Sequence, residues 1–404
     1  MAFNGNITLP AGATSHGQPD LLCLPTKWTD IVVFFMGNYV AHAATIRLEP
    51  STSIVNTVLA IVLALLIPIS GVKRGIKGIM SFAKFGKTDL QVAARAGALC
   101  QVIQTDMQAR SFREQLLTAF DHGSIFAGKI HSRYRLPDGY GFATVPWNSK
   151  FQNDDAPAAQ QITLAANYNI VSILVALAQL AFAVATIYRS RGDQITQYGY
   201  AAFGLTVTQY AAMSLVNLLG NLVCPQYTSI YLVRSTAMTD AEAEPGANAF
   251  FEGVVGTLLE DEIQADEAER RASAALLRPP KSTWARIGNM LNLRKIQTLD
   301  LLLLPVSWMP TAVSVAIIYG LSRFEEGSST FGQRAATMGW LAMGSWAGAL
   351  GGWRGNLERD MSRRKIYSGY LLELAISLVS SVPSVAGYIV VAGMLEQYGI
   401  CSHV

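Results

Sequence analysis

Charge is scarce in this sequence. Only 15% of its 404 residues are Asp, Glu, Lys or Arg, where a soluble domain carries about 25%. With 51% hydrophobic residues and a mean hydropathy of +0.28, a soluble fold would have more apolar surface than it could hide. The net charge of +3 comes without the clustered basic footprint that nucleic acid requires, so no nucleic-acid partner is expected. Cysteine is scarce too: Cys23, Cys100, Cys224 and Cys401 lie far apart, form no CxxC, and have only scattered histidines for company. No metal or cofactor site is read from them. The first 28 residues lack an apolar h-region, so no cleavable signal peptide is expected and insertion would fall to the first span. Local enzyme motifs such as GxSxG and HExxH are missing, so the expectation leans away from catalysis. The stretch "FGKT" is no phosphate-binding loop, because Ser81 stands where the pattern needs Gly.

What is present is a series of long uncharged runs. A bilayer core of about 30 Å takes roughly 20 apolar residues as helix, and seven candidates meet or approach that length. They are Ile31 to Ile46, Ile54 to Val72, Ile170 to Tyr188, Tyr200 to Val223, Leu299 to Leu321, Thr337 to Gly352 and Tyr370 to Leu395. None holds a Lys or Arg in its interior. The expected fold is therefore an all-α membrane protein, a polytopic bundle of about seven transmembrane helices with two cytoplasmic inserts, placed in the plasma membrane or an endomembrane. The organisation reads as a polar segment (1–28), a first helical hairpin (29–72), an insert (73–169), a second helical pair (170–223), a charged insert (224–297), a three-helix part (298–395) and a tail (396–404).

Within the first insert, "DLQVAARAGALCQVIQ" reads as an amphipathic helix. Pro-Asp-Gly between two aromatic and β-branched runs in "KIHSRYRLPDGYGFATVP" reads as a β-hairpin. The second insert holds "EGVVGTLLEDEIQADEAERRASAALLR", acidic first and basic last, which suits a helix dipole. The basic stretch "KRGIKGIMSFAKFGK" directly follows a span and would attract anionic lipid.

The opening run is the shortest, enclosed by Asp30 and Arg47. Gly37, Ala41 and Thr45 form a small-residue ridge with Asn38 and His42 beside it, so this polar pair should face protein. Ser214, Asn217 and Asn221 form a polar stripe in the fourth run, with Thr206 and Gln209 on a neighbouring arc. It either packs against helices or lines a hydrated path. Gly344, Gly348 and Gly352 offer a flat face for helix packing. Pro305, Pro310 and Pro383 make broken helices in the later spans an option.

Two topologies stay open. If the opening run crosses, the Lys and Arg bias puts the N-terminus and both inserts in the cytoplasm. If it does not, six spans remain and the N-terminus is outside. The sequon at Asn6 could then be glycosylated, and Cys23 and Cys401 would share an oxidising compartment where they could pair.

The segments "CLPTKWTDIVVFFMGNYVAHAATI", "ARAGALC", "IHSRYRLPDGY" and "YGYAAFGLTVTQYAAMSLVNLLGNLVCPQY" together resemble a group of uncharacterised multi-pass membrane proteins of filamentous fungi. The resemblance implies a membrane setting and no particular activity. The function expected from the residues is a non-enzymatic receptor-like or scaffold protein, whose inserts bind a protein partner or lipid. The alternative is a transporter or channel using the polar stripe.

Overall fold

The computed structural model describes residues 11–16, 21–104, 130–137, 139–152, 163–246, 248–259, 298–354 and 363–403. Asn6 lies outside them, and so does most of the charged helix expected in the second insert. Of the three C-terminal helices, the side chains of 308–342 and 378–401 are described, which leaves those of Gly344, Gly348 and Gly352 outside.

The chain starts with β1 (Leu21–Leu24), then α1 (Trp28–Phe35), a π-helical turn (Met36–Val40) and α2 (Ala41–Ala44). The backbone stays right-handed through Phe35, Val40 and Ala41, so these three pieces form one rod. Next come α3 (Ile54–Leu66), whose first amides are capped by Ser53, and α4 (Pro68–Met80). Read as one unbroken span in the sequence, this run instead bends by 117° at Ile67.

After α5 (Asp89–Arg95) comes β2 (Leu99–Gln104), so the expected amphipathic helix covers only the first half of its stretch. The reason is Gly97, at φ +74°. Its left-handed conformation lets the Ala98 amide bond back to Ala93 O, a helix stop. The flanks of Pro-Asp-Gly are strands, β3 (Arg133–Arg135) and β4 (Tyr140–Thr144), but they form no hairpin. β4 pairs antiparallel with β2, and β3 pairs with a strand of the second insert.

Two helices follow, α6 (Ile170–Arg189) and the short α7 (Asp193–Tyr198). Two 3-10 turns (Gly199–Ala201 and Phe203–Val207) lead into α8 (Thr208–Val223). The second insert supplies β5 (Tyr231–Val233), α9 (Thr236–Ala243) and β6 (Phe250–Glu252). β5 lies parallel to β2 and completes a β4-β2-β5 sheet, while β6 is the partner of β3. The expectation of an all-α chain is thus corrected: the inserts share strands and make one unit, with two apolar cores. The chain closes with α10 (Thr298–Ser322), α11 (Phe331–Arg354), α12 (Arg363–Tyr398) and β7 (Ile400–His403).

The helices form a bundle with two distinct ends. One carries β1 paired with β7, the Tyr198 and Tyr398 rings at 6.2 Å, and the α10–α11 loop, whose Glu325 O accepts from the Tyr200 amide. The other carries the insert unit, joined where the Ser51 amide donates to Tyr227 O and Asn167 bridges Gln226. Among the described residues, α6 and the Leu378–Tyr398 part of α12 are long and apolar enough to cross a bilayer. Counting each bent pair, α3–α4 and α7–α8, as one span brings the number to four.

Candidate functional site

Pro68 has no amide hydrogen, so the helix cannot run on through it with a full set of bonds, and the last carbonyls of α3 lose their intrahelical donors. In an apolar bundle each such carbonyl needs another donor. The hydroxyls of Tyr210 and Tyr388 converge on Leu65 O at 2.5 and 2.7 Å, and Ser384 donates to Leu66 O. These donors come from α8 and α12, so the broken end is held by two other helices. Around it, Tyr39, Tyr210, Tyr388 and the fully buried Trp340 stack edge-on or tilted, with centroids 4.6 to 5.8 Å apart.

From the break, α4 returns along α8. Its glycines allow this: a Cβ at Gly75 would come within 2.9 Å of the Val216 backbone, and Gly220 lies opposite. A small-residue seam thus runs between α4 and α8. At the far end of α4, Lys77 Nζ is 2.6 Å from Glu49 Oε1, and Gly78 faces the Arg47 side chain. The residues just before α3 and those ending α4 thus meet at the insert end. Lys77, with Arg74 and Arg47 behind it, holds the Glu49 carboxyl below the usual carboxylate range.

The polar stripe of α8 is used mainly for packing. Ser214 Oγ lies 2.6 Å from His42 Nδ1. The Asn217 carboxamide accepts from the Arg47 amide and donates to Gly71 O and Met213 O. Asn38 and His42 are buried, and Asn38 donates to Phe34 O. Asn38 Oδ1, His42 Nε2 and Asn221 Oδ1 find no partner among the described residues. The ridge of Gly37, Ala41 and Thr45 packs on α6: Phe182 covers Gly37, and Gln179 bonds Ala41 O and Thr45. The π-turn, where the Ala41 amide reaches back to Met36 O, keeps this ridge on one side of a short rod.

Two small cavities lie between α8, α10 and α11. The first is lined by Pro68, Ile69 and Val72 at the start of α4, with Gln209, Pro310 and Leu341. The second, toward the β1–β7 end, is lined by Tyr200, Thr206, Thr208, Gln209, Thr337 and Leu341 among others. Gln209 and Leu341 border both. Sequence reasoning placed Gln209 beside the stripe but missed its position at the break, since nothing local marks the return of α4.

At the opposite end, Cys23 and Cys401 face each other across the β1–β7 pair and are joined as a disulfide. His16 sits beside them. With both sulfurs bonded to each other, the group offers a metal only one imidazole. Comparison with protein-family models, with curated proteins and with solved structures gives no match.

Proposed function

We propose that the chain crosses a bilayer six times, that α3 and α4 form a re-entrant hairpin entering from the insert side, and that a small solute passes beside the hairpin's tip. The crossing elements are the Trp28–Ala44 rod, α6, α8, α10, α11 and α12. Their alternation between the two ends of the bundle supports this. The Glu49–Lys77 contact supports the return of the hairpin. α3 has 13 residues, about 20 Å of helix against a core of about 30 Å. It exposes Ile54, Val55, Val58, Leu59 and Val62, as lipid contact requires.

This topology removes the conflict between charge and sequon. Arg47, Lys77, Lys84 and Lys87 fall on the insert side, which becomes cytoplasmic. Asn6 and the Cys23–Cys401 disulfide fall together on the other side, where oxidation is expected.

The observation that carries the transport reading is the broken helix held inside the bundle beside the cavities. Tyr388 lies ten residues from the end of α12, about 15 Å along the axis, so the tip reaches roughly mid-bilayer. Half-helix ends at that depth are how solute sites are built in membranes. The test is flux of small solutes into vesicles holding the purified full-length chain. Flux above empty vesicles is expected for at least one of water, urea, chloride and potassium; flux equal to empty vesicles for all four would contradict it. The folded unit shared by the two inserts favours a second, compatible reading, the receptor-like or scaffold role, with the basic stretch from Lys77 to Lys87 held against anionic lipid.

A further inference from the structure

We infer that the two cavities beside Gln209 form a single-file site for a neutral, water-sized hydrogen-bonding molecule, with the Gln209 carboxamide as the group that reads it. This rests on the solute path proposed above. Gln209 is 8% exposed and borders both cavities, and its side chain makes no hydrogen bond among the described residues. A carboxamide kept from water without partners is costly, and a guest molecule in the cavity would recover that cost. The neighbouring hydroxyls already have acceptors for their protons: Thr206 donates to Phe203 O, Thr208 to Leu205 O and Thr337 to Gln333 O. They keep lone pairs for a guest that donates, while Gln209 both donates and accepts.

Size and charge select the guest. Each cavity has room for about one water molecule. Among the described residues no charged side chain lines either cavity, and apolar groups such as Pro68, Ile69, Val72, Leu205, Ile318 and Leu341 make up a large part of the wall. Moving an ion into such a wall carries a large desolvation penalty even after relaxation. The first turn of α4 borders the inner cavity, and a helix N-terminus returns to an anion only a small part of that penalty. For a proton or cation that helix end adds to the cost. Neutral molecules are therefore the class that the path admits.

The experiment is osmotic water permeability of vesicles containing the full-length chain, by stopped-flow light scattering, with potassium, chloride and proton fluxes measured in parallel. The expected result is water permeability several-fold above empty vesicles, ion fluxes at the empty-vesicle level, loss of the water gain in Gln209→Leu, and partial recovery in Gln209→Asn. Leu341→Trp, which fills the shared boundary while keeping the amide in the chain, should abolish the gain as well, and serves if Gln209→Leu fails to fold. Ion flux that falls in Gln209→Leu would overturn the neutral-guest inference while leaving the path standing. Water permeability unchanged in Gln209→Leu and Leu341→Trp would overturn the role of this site. Absence of flux for every probe would instead overturn the path itself.

Discussion

Asn217 and Asn221 differ by one helical turn and by everything that surrounds their carboxamides. Asn217 holds the Arg47 amide, Gly71 O and Met213 O at once, joining three segments. Asn217→Leu would leave the first two without their partner in the bundle, a cost of roughly 1 to 3 kcal/mol. Asn221 Oδ1 has no partner among the described residues, so Asn221→Leu should be near neutral, since it removes a buried polar group that is already unpaired. Thermal unfolding in detergent checks both: a clear drop for the first variant and little change for the second. At this scale the sequence carries much of the arrangement, because Asn38 and His42 stand beside a small-residue ridge and both are buried. It does not carry the isolation of Gln209, which depends on how the threonines around it bond to their own helix turns.

At the scale of elements, the fit of α4 against α8 decides whether the hairpin can fold back. Gly75→Leu places a branched side chain where even a Cβ is too close to backbone, so the helices must part, at a cost of about 1 to 3 kcal/mol or more. Gly320→Ala, on α10 with nothing within 4 Å of its added Cβ, should leave stability unchanged, and unfolding midpoints of the pair make the comparison. The Glu49–Lys77 contact at the mouth of the hairpin should make stability depend on pH. The Glu49 pKa is lower in the folded chain than its ordinary value, chiefly through Lys77. Its contribution is therefore present above the ordinary carboxylate pKa of about 4 and lost as pH falls through the lowered value. Lys77 is 70% exposed, so the effect stays within about 1 kcal/mol. Unfolding midpoints recorded on the acid side should fall more steeply with pH for the wild type than for Glu49→Gln. The helix break itself was hidden in the sequence by apolarity. Hydrophobicity sets that a segment is buried, not which way it runs, and Pro310 and Pro383 lie inside continuous helices. Pro68 ends α3 because Tyr210, Tyr388 and Ser384 are there to take its carbonyls.

Across the whole molecule, the long-range pairings were the least legible part. β2 collects partners from both inserts, and β1 meets β7 across nearly the full chain. No local pattern of residues encodes either pairing, although the cysteines at the ends of the chain stood out as able to meet. The proposed topology rests on those pairings, and side-specific labelling tests it most directly. In a chain with Cys100 and Cys224 replaced by Ser, single cysteines are introduced as Thr52→Cys, Lys84→Cys and Ser328→Cys. Sealed vesicles of one orientation are then treated with a membrane-impermeant maleimide. A re-entrant hairpin predicts that Thr52→Cys and Lys84→Cys are labelled from the same side and Ser328→Cys from the other. Labelling of Thr52→Cys and Lys84→Cys from opposite sides would mean that α3 and α4 cross the membrane, and would contradict the re-entrant hairpin and the solute path built on it.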